Sequence, residues 1–206
     1  MNTQFERSMC TTDEWYTPLE IIESLGKFDL DPCTPIVPLW QTAEVMYNKN
    51  DDGLSKEWKG RVWLNPPYSR PLIEHFIRRL ADHGNGIALL FNRCDSKMFQ
   101  DIIFKKATAM KFLRHRIRFY RPNGTRGDSP GCGSILIAFG EKNAEILKNC
   151  NIEGAYLRII DIDKNKDNCS YSSVKFSVKI NDKFILDDIH LNDFVSGEFQ
   201  CSLIIR

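Results

Sequence analysis

Val62-Trp63-Leu64-Asn65-Pro66-Pro67-Tyr68-Ser69 is the stretch that decides the fold and the chemistry of this chain. An apolar run stops at a polar side chain, two prolines and a tyrosine, which predicts a buried strand that ends in a rigid loop. Each proline fixes φ and lacks an N–H donor, so carbonyl oxygens in this loop stay free to accept hydrogen bonds. The Asn65 carboxamide and the Pro66 carbonyl offer two acceptors, and Tyr68 offers a flat ring. This combination suits the exocyclic amino group of a planar base.

The same stretch has a purely structural interpretation, in which the prolines end the strand and Asn65 caps a turn. The order of strand, acceptor, two prolines and aromatic ring favours the interpretation that this loop binds a base. Asn65-Pro66-Pro67-Tyr68 resembles the motif of S-adenosylmethionine-dependent amino-methyltransferases. Its flanks, Asp52-Gly53-Leu54 followed by Trp58 and then Val62-Trp63-Leu64, resemble those of the phage-type, Dam-like DNA N-6-adenine methyltransferases. The resemblance extends from about Trp15 to Gly140.

This resemblance implies an α/β fold with a Rossmann-like methyltransferase sheet flanked by helices. It implies transfer of a methyl group from S-adenosylmethionine to the amine of an adenine that is flipped out of double-stranded DNA. In this interpretation Asn65, Pro66, Pro67 and Tyr68 are catalytic, since they grip and stack the target base. The chemistry requires no metal ion.

Composition sets wide limits on the function. A chain of 206 residues accommodates one α/β domain and a small appendage. The formal net charge is +1, so affinity for nucleic acid has to come from local clusters of basic residues. Seven cysteines without a Cys-x-x-Cys pair predict reduced thiols, no metal site and a cytoplasmic protein, in the host cell if a phage encodes it. No apolar stretch approaches the roughly 20 residues that a membrane span needs.

The sequence predicts three segments. Residues 1–12 are polar and aperiodic and are expected to form a flexible arm. Residues 13–140 alternate between strand and helix patterns and are expected to form the methyltransferase domain. Residues 141–206 are expected to form a β-rich C-terminal extension of unknown role, with a hairpin turn at Asn181-Asp182. Inside the middle segment the predicted elements are a helix over Pro71–Leu80 and buried strands at Gly86–Phe91, Ala109–Leu113 and Ser134–Phe139.

Two segments near the amino terminus are candidates for binding the methyl donor. Thr17-Pro18-Leu19-Glu20 predicts a capping box that opens a short helix ending at Gly26. A Trp-x-Thr-Pro segment at this place also resembles the cofactor-side motif of amino-methyltransferases, and Asp31-Pro32-Cys33 resembles the start of their first cofactor motif. Thr34-Pro35 stands where a Gly-x-Gly would follow, so side chains are expected to hold the cofactor. The candidate cofactor-binding residues are Trp15, Thr17, Pro18, Asp31, Pro32 and, by analogy, Asp52.

A basic segment, Arg114–Arg121, precedes the Pro- and Gly-rich loop Pro122–Gly133. Clustered charges usually form a solvated face. Here arginines alternate with aromatic and apolar residues, and guanidinium groups bind phosphates bidentately. Arg116-Ile117-Arg118-Phe119 also resembles an Arg-x-x-Phe segment of the family. The candidate DNA-binding residues are Arg114, Arg116, Arg118, Arg121 and Arg126.

Two other functions compete with DNA adenine methylation. The four-residue motif also serves enzymes that methylate RNA or a protein glutamine, although the latter normally carry a glycine-rich first motif. The missing Gly-x-Gly keeps open a non-catalytic nucleic-acid-binding protein on a decayed methyltransferase fold.

Overall fold

The computed structural model describes residues 15–159 and, farther along, the backbone of four two-residue strands between residues 173 and 190. The chain divides into two units, Met1–Ile159 and Ile160–Arg206. The predicted arm, residues 1–12, lies outside the described residues.

The first unit mixes strands and helices, as the sequence predicts for an α/β protein, with three strands in succession between α1 and α2. In chain order the elements are α1 (Leu19–Ser24), β1 (Leu30–Asp31), β2 (Val45–Met46), β3 (Val62–Leu64), α2 (Leu72–His83), β4 (Gly86–Phe91), a π-helical turn (Phe99–Ile103) that continues into α3 (Phe104–Lys106), β5 (Ala109–Leu113), β6 (Ser134–Phe139), α4 (Glu141–Asn149) and β7 (Gly154–Arg158).

The seven strands form one mixed sheet in the order β2-β1-β3-β4-β6-β5-β7. Strands β2, β1, β3 and β4 are parallel. Strand β6 is antiparallel to both β4 and β5, so β5 points the same way as the parallel group. The loops that follow β1, β3, β4 and β5 therefore meet at one edge, called the carboxyl edge below. Ligands of open α/β sheets bind at this edge.

Helices cover both faces of the sheet because its strands are apolar on both sides. In β3, Val62 and Leu64 pack in one core cluster, and Trp63 packs in the other. The first cluster includes the buried residues of α2 and of the π-helical turn, and the second includes those of α1 and α4. This double burial explains the continuous apolar runs of the central strands.

The apolar residues Leu72, Phe76, Ile77 and Leu80 lie on one side of the predicted helix, and helix α2 buries all of them except Leu72. Phe76, Ile77 and Leu80 are buried, whereas Leu72 in the first turn stays 36% exposed. The helix ends at Gly84, which has a φ of 70° and closes the last turn through a bond from its N–H to the Leu80 carbonyl.

The predicted capping box at the start of α1 is wrong. Pro18 is the residue before the helix, and no side chain caps the helix there. The Pro18 carbonyl accepts the Ile21 N–H at 3.0 Å, so the first turn closes through the backbone. The predicted end of the helix near Gly26 is confirmed: α1 ends at Ser24, and Gly26 has a φ of 79°.

Residues 141–158, which the sequence assigned to the extension, form α4 and the edge strand β7 of the main sheet. In the second unit β8 (Ser173–Val174) pairs antiparallel with β11 (Ile189–His190), and β9 (Lys179–Ile180) pairs antiparallel with β10 (Lys183–Phe184). The predicted turn at Asn181-Asp182 lies outside the described residues, between β9 and β10. Within the described ranges, no helix has both the length and the apolar character of a membrane span.

Candidate functional site at the carboxyl edge

Asn65 is the first residue after β3 and lies half-buried at the carboxyl edge. Its side-chain Nδ2 donates to the Thr17 hydroxyl at 3.2 Å. Its main-chain oxygen accepts the Cys33 thiol at 3.4 Å. Because the carboxamide nitrogen is held by Thr17, Oδ1 is the end of the side chain that is left to accept a hydrogen bond from a ligand.

Tyr68 is fixed in place before any ligand arrives. Its hydroxyl accepts the Phe91 N–H at 2.9 Å, and the two ring centroids lie 4.6 Å apart with planes inclined by 32°. The residue nevertheless remains 40% exposed. Burial of the hydroxyl end raises the pKa of Tyr68, so the phenol stays neutral at physiological pH. The ring is thus suited to stacking and not to acting as a base.

Asp31 ends β1, the strand beside β3, and is 4% exposed. Its carboxylate accepts the Thr42 hydroxyl at 2.5 Å and the Cys33 N–H at 3.1 Å. Burial raises the pKa of Asp31 to about 6, against the lowering effect of these two bonds. At neutral pH the site therefore contains one buried, mostly ionised carboxylate.

The turn that contains Asp52 and Gly53 packs directly on the loop after β1. A Cβ atom on Gly53 would lie 1.9 Å from the Pro32 carbonyl oxygen, so only glycine permits this approach. The Gly53 carbonyl accepts the indole N–H of the buried Trp58 at 2.8 Å, and Asp52 has a φ of 51°. The structure thus brings together the Asp31-Pro32 and Asp52-Gly53 segments that the sequence selected separately.

Thr34 occupies the place where a Gly-x-Gly would follow the first motif. Its N–H donates to the Tyr47 carbonyl at 2.9 Å, which joins the loop to the end of β2. Its hydroxyl is buried and has no hydrogen-bond partner among the described residues. A buried threonine side chain therefore stands where a glycine loop would leave bare backbone.

The segment Trp15–Pro18, called the donor-side turn below, is attached to the arginine-rich segment. Tyr16 and Tyr120 exchange two backbone hydrogen bonds, of 3.0 and 2.9 Å. A Cβ atom on Gly127 would lie 2.6 Å from Cζ3 of Trp15, which places the indole against the arginine-rich loop. The predicted cofactor-binding residues Trp15 and Thr17 therefore contact the loop and Asn65, respectively.

The five candidate DNA-binding arginines all have partners inside the chain. Arg114 pairs with Glu153 at 3.7 Å, and Arg126 pairs with Glu20 at 2.5 Å. The other three donate to loop carbonyls: Arg116 Nη1 to Pro130 at 3.0 Å, Arg118 Nε to Gly127 at 3.0 Å, and Arg121 Nη1 to Arg126 at 2.9 Å. These bonds fix the path of the loop Pro122–Gly133.

The apolar and aromatic residues between these arginines point into the protein, whereas His115 is exposed. Ile117 and Phe119 are each 7% exposed and belong to a core cluster. Tyr120 packs edge-on against Trp40, with ring centroids 5.2 Å apart. The alternation of arginine with apolar residues is therefore the period-2 pattern of an extended segment with one buried side, and Phe119 is not placed to stack on a base.

Three residues at the carboxyl edge were not among the predicted site residues. Arg70 follows the loop of residues 65–69, called the acceptor loop below, and Arg93 follows β4. Both arginines are exposed. The charge of Arg93 acts to lower the pKa of Tyr68, which places the two side chains near each other. Phe91 supports the Tyr68 ring as described above. The sequence signal for all three is their position just beyond the end of β3 or at the end of β4, which becomes informative once the strand order is known.

No group of three or more histidine, cysteine, aspartate or glutamate side chains within the described residues could hold a metal ion.

The buried carboxyl of Asp31 is expected to make the stability of the protein depend on pH. Its folded-state pKa of about 6 exceeds the ordinary 3.8, so it contributes stability below pH 3.8 that is lost as pH rises through about 6. Asp31→Asn should therefore stabilise the ligand-free protein above pH 6, by up to about 3 kcal/mol, with a gain that vanishes towards pH 4. Urea unfolding at pH 4.5 and 7.5 measures this difference; an equal effect at both values would contradict it.

Comparison with known proteins gives a consistent result. A family model described as DNA N-6-adenine-methyltransferase (Dam) matches residues 6–157. The DNA N-6-adenine-methyltransferase of Escherichia phage T1 is 39% identical over 88 residues, which cover 38% of this chain and 35% of that relative. The chain thus matches about a third of the length of this curated relative. No solved structure matches the chain significantly.

Proposed function

The chain belongs to the DNA N-6-adenine-methyltransferase (Dam) family, and we propose that it transfers a methyl group from S-adenosylmethionine to the exocyclic amine of adenine in double-stranded DNA. The observation that carries this proposal is the pairing of Asn65 with Thr17 beside the fixed ring of Tyr68. It joins the acceptor loop to the donor-side turn at the carboxyl edge. A Rossmann-like methyltransferase sheet is the finer description of the fold that we propose, supported by the parallel group β2-β1-β3-β4.

The residues at the carboxyl edge fit this donor. It carries an ammonium group, a carboxylate, a positively charged sulfur and an adenosine. The buried carboxylate of Asp31 suits the cationic part, and the unpaired hydroxyl of Thr34 offers a hydrogen bond in the same loop. Trp15, Thr17, Pro18, Pro32 and Asp52 complete the proposed donor site. When bound, the donor supplies an activated methyl group, and the protein supplies position and electrostatics.

Asn65 and Pro66 supply the acceptors for the target amine. The amine of adenine is a weak nucleophile because its lone pair is delocalised into the ring. If Asn65 Oδ1 and the Pro66 carbonyl each accept one N–H, they stabilise the positive charge that develops on nitrogen as it attacks. As the nitrogen bonds the methyl carbon, the bond from that carbon to the donor sulfur would break and leave a neutral thioether. The methylated nitrogen, which is acidic while it is positively charged, would then lose a proton to water, so no strong base is required.

Tyr68 holds the target ring while its own position is fixed by Phe91. Stacking on the exposed side of Tyr68 would restrict the adenine to an orientation close to attack, and such orientation supplies much of the acceleration. The acceptor loop alone thus provides both recognition of the amine and alignment of the base.

The arginines combine a structural role with contacts to DNA. Flipping a base out of the duplex costs a few kcal/mol, which phosphate contacts have to offset. A guanidinium group has five N–H donors, and in Arg116 and Arg118 a single nitrogen bonds a loop carbonyl. The remaining donors of these exposed side chains can bind phosphates. We include Arg70 and Arg93 in the same surface because they flank Tyr68.

The direct test is incubation of the purified chain with isotope-labelled S-adenosylmethionine and duplexes of varied sequence, followed by nucleoside analysis. Label in N6-methyladenine supports the proposal. Parallel incubations replace the duplexes with RNA or with a protein substrate. Label found only in RNA or in protein glutamine would show that the chain acts on the other acceptors of this motif. DNA binding without any donor binding by calorimetry would identify a non-catalytic DNA-binding protein.

Arg116→Ala and Arg118→Ala should each weaken DNA binding and lower its salt dependence. Every phosphate contact removed reduces the slope of log K against log salt by about 0.9. Fluorescence anisotropy of a labelled duplex at several salt concentrations measures this slope. The matched control is Arg78→Ala, which removes an exposed arginine paired with Glu74 on α2 and should leave the slope unchanged. An unaltered slope in the first two variants would leave these arginines with only their role in the loop.

A further inference from the structure

We propose that Thr17 is a positioning residue for the transfer, because its hydroxyl holds the Asn65 carboxamide in the orientation that presents Oδ1 to the target amine. This inference rests on the proposed function and adds to it a residue that acts through Asn65. It also gives the donor-side turn a second task besides any contact with the donor.

The structural basis is one hydrogen bond between distant parts of the chain. Thr17 and Asn65 are 48 residues apart, and Asn65 Nδ2 lies 3.2 Å from Thr17 Oγ1. Thr17 is 4% exposed, so its hydroxyl has little access to water. The local alternative for this hydroxyl, capping of α1, is not used. The buried Thr17 hydroxyl therefore bonds Asn65 and does not cap the helix.

The orientation of this carboxamide decides whether it helps or hinders. Its oxygen and its NH₂ group have similar size but opposite hydrogen-bonding character. A half-turn about the last side-chain torsion would replace the acceptor by a donor facing the N–H groups of adenine. In the structure the Thr17 hydroxyl accepts from the NH₂ end, and this is the rotamer that leaves Oδ1 free for the target amine.

Thr17 itself sits on a firmly anchored backbone. The neighbouring Tyr16 exchanges two hydrogen bonds with Tyr120, and its hydroxyl donates to the Val37 carbonyl at 2.6 Å. On the other side, Pro18 is buried and its carbonyl accepts the Ile21 N–H. The hydroxyl of Thr17 is thus presented by a turn that is restrained from both ends.

The experiment compares Thr17→Val, Thr17→Ser and Thr108→Val with the natural chain. Valine keeps the shape of threonine and removes the hydroxyl, and serine keeps the hydroxyl. Thr108 is the matched control, because its hydroxyl accepts the Gly140 N–H at 3.0 Å at the opposite edge of the sheet. The readouts are kcat at saturating donor and duplex, the donor Kd by calorimetry, and the side-chain amide signals of Asn65 in an NMR spectrum.

Thr17→Val is expected to lower kcat at saturating donor on the order of 10- to 100-fold, as misplacement of a catalytic group does, whatever change it also makes in the donor Kd. Thr17→Ser should restore kcat to within about threefold, and Thr108→Val should leave it unchanged. The Asn65 amide signals should shift in Thr17→Val and not in Thr108→Val, which reports the orientation independently of activity.

Other outcomes overturn the inference. A large rise in donor Kd with normal kcat at saturation would make Thr17 a donor contact alone. A normal kcat in Thr17→Val would show that Asn65 orients without it. If the natural chain methylates no adenine, the proposed function fails, whereas the NMR comparison still decides whether Thr17 holds Asn65.

Discussion

Asn65→Ala should lower kcat for adenine methylation by at least about 10²- to 10³-fold and change the donor Kd less than about threefold. The reason is that Oδ1 acts on charge that develops only as the amine attacks, so its loss is felt in the transition state and not in the bound donor. Single-turnover kinetics at saturating donor, together with calorimetry on the same samples, separates the two effects.

A matched control for this variant is Asn149→Ala. Asn149 also makes a side-chain hydrogen bond, to Glu145 at 2.6 Å, but on the exposed face of α4. Its loss should leave kcat unchanged. Turnover that persists in Asn65→Ala would refute the assignment of Asn65, and with it the mechanism proposed above.

Gly53→Ala should damage both stability and donor binding, although it adds one methyl group. The new Cβ atom would lie 1.9 Å from the Pro32 carbonyl oxygen, and neither backbone can absorb such an overlap without moving. Forced overpacking of this kind costs about 1–3 kcal/mol or more. Since the displaced loop carries Asp31, donor affinity should fall by at least about tenfold. Urea unfolding and calorimetry test the two effects.

Gly131→Ala is the appropriate comparison, because a Cβ atom on Gly131 would meet nothing within 4 Å. That variant should unfold at the same urea concentration as the natural chain, within error. If Gly53→Ala were as stable as Gly131→Ala and bound the donor normally, the contact between the Asp52-Gly53 turn and Pro32 would not shape the site.

The buried strands could be predicted because a short, uninterrupted apolar run is typical of a strand that is buried on both faces. Gly86–Phe91 and Ser134–Phe139 are uninterrupted apolar runs, and the structure has strands with the same bounds. By contrast the segment that leads into the first cofactor motif, which reads as a strand over residues 27–33, forms a strand only at Leu30–Asp31. The length of such a short strand depends on its pairing with β2 and β3, which local patterns do not report.

The hydrogen-bond partner of the Thr17 hydroxyl could not be predicted from the sequence. A hydroxyl before Pro18 and three residues ahead of Glu20 satisfies every local rule for a helix cap. In the structure Thr17 bonds Asn65 and Glu20 pairs with Arg126, because tertiary contacts bring better partners. The assignment of Asn65 and Tyr68 as site residues came from their own motif, whereas Arg70, Arg93 and Phe91 became candidates only through the strand order.

The bonds from arginine to loop carbonyls in Pro122–Gly133 also bear on how tightly DNA would be bound. A loop whose shape is already set has little conformational entropy left to lose on association, so most of the attraction to phosphates remains available for affinity. Lysine carries the same charge but has no planar fork to bridge a carbonyl and a phosphate at once. Exchange of Arg116 or Arg118 for lysine should therefore weaken DNA binding while leaving the net charge unchanged.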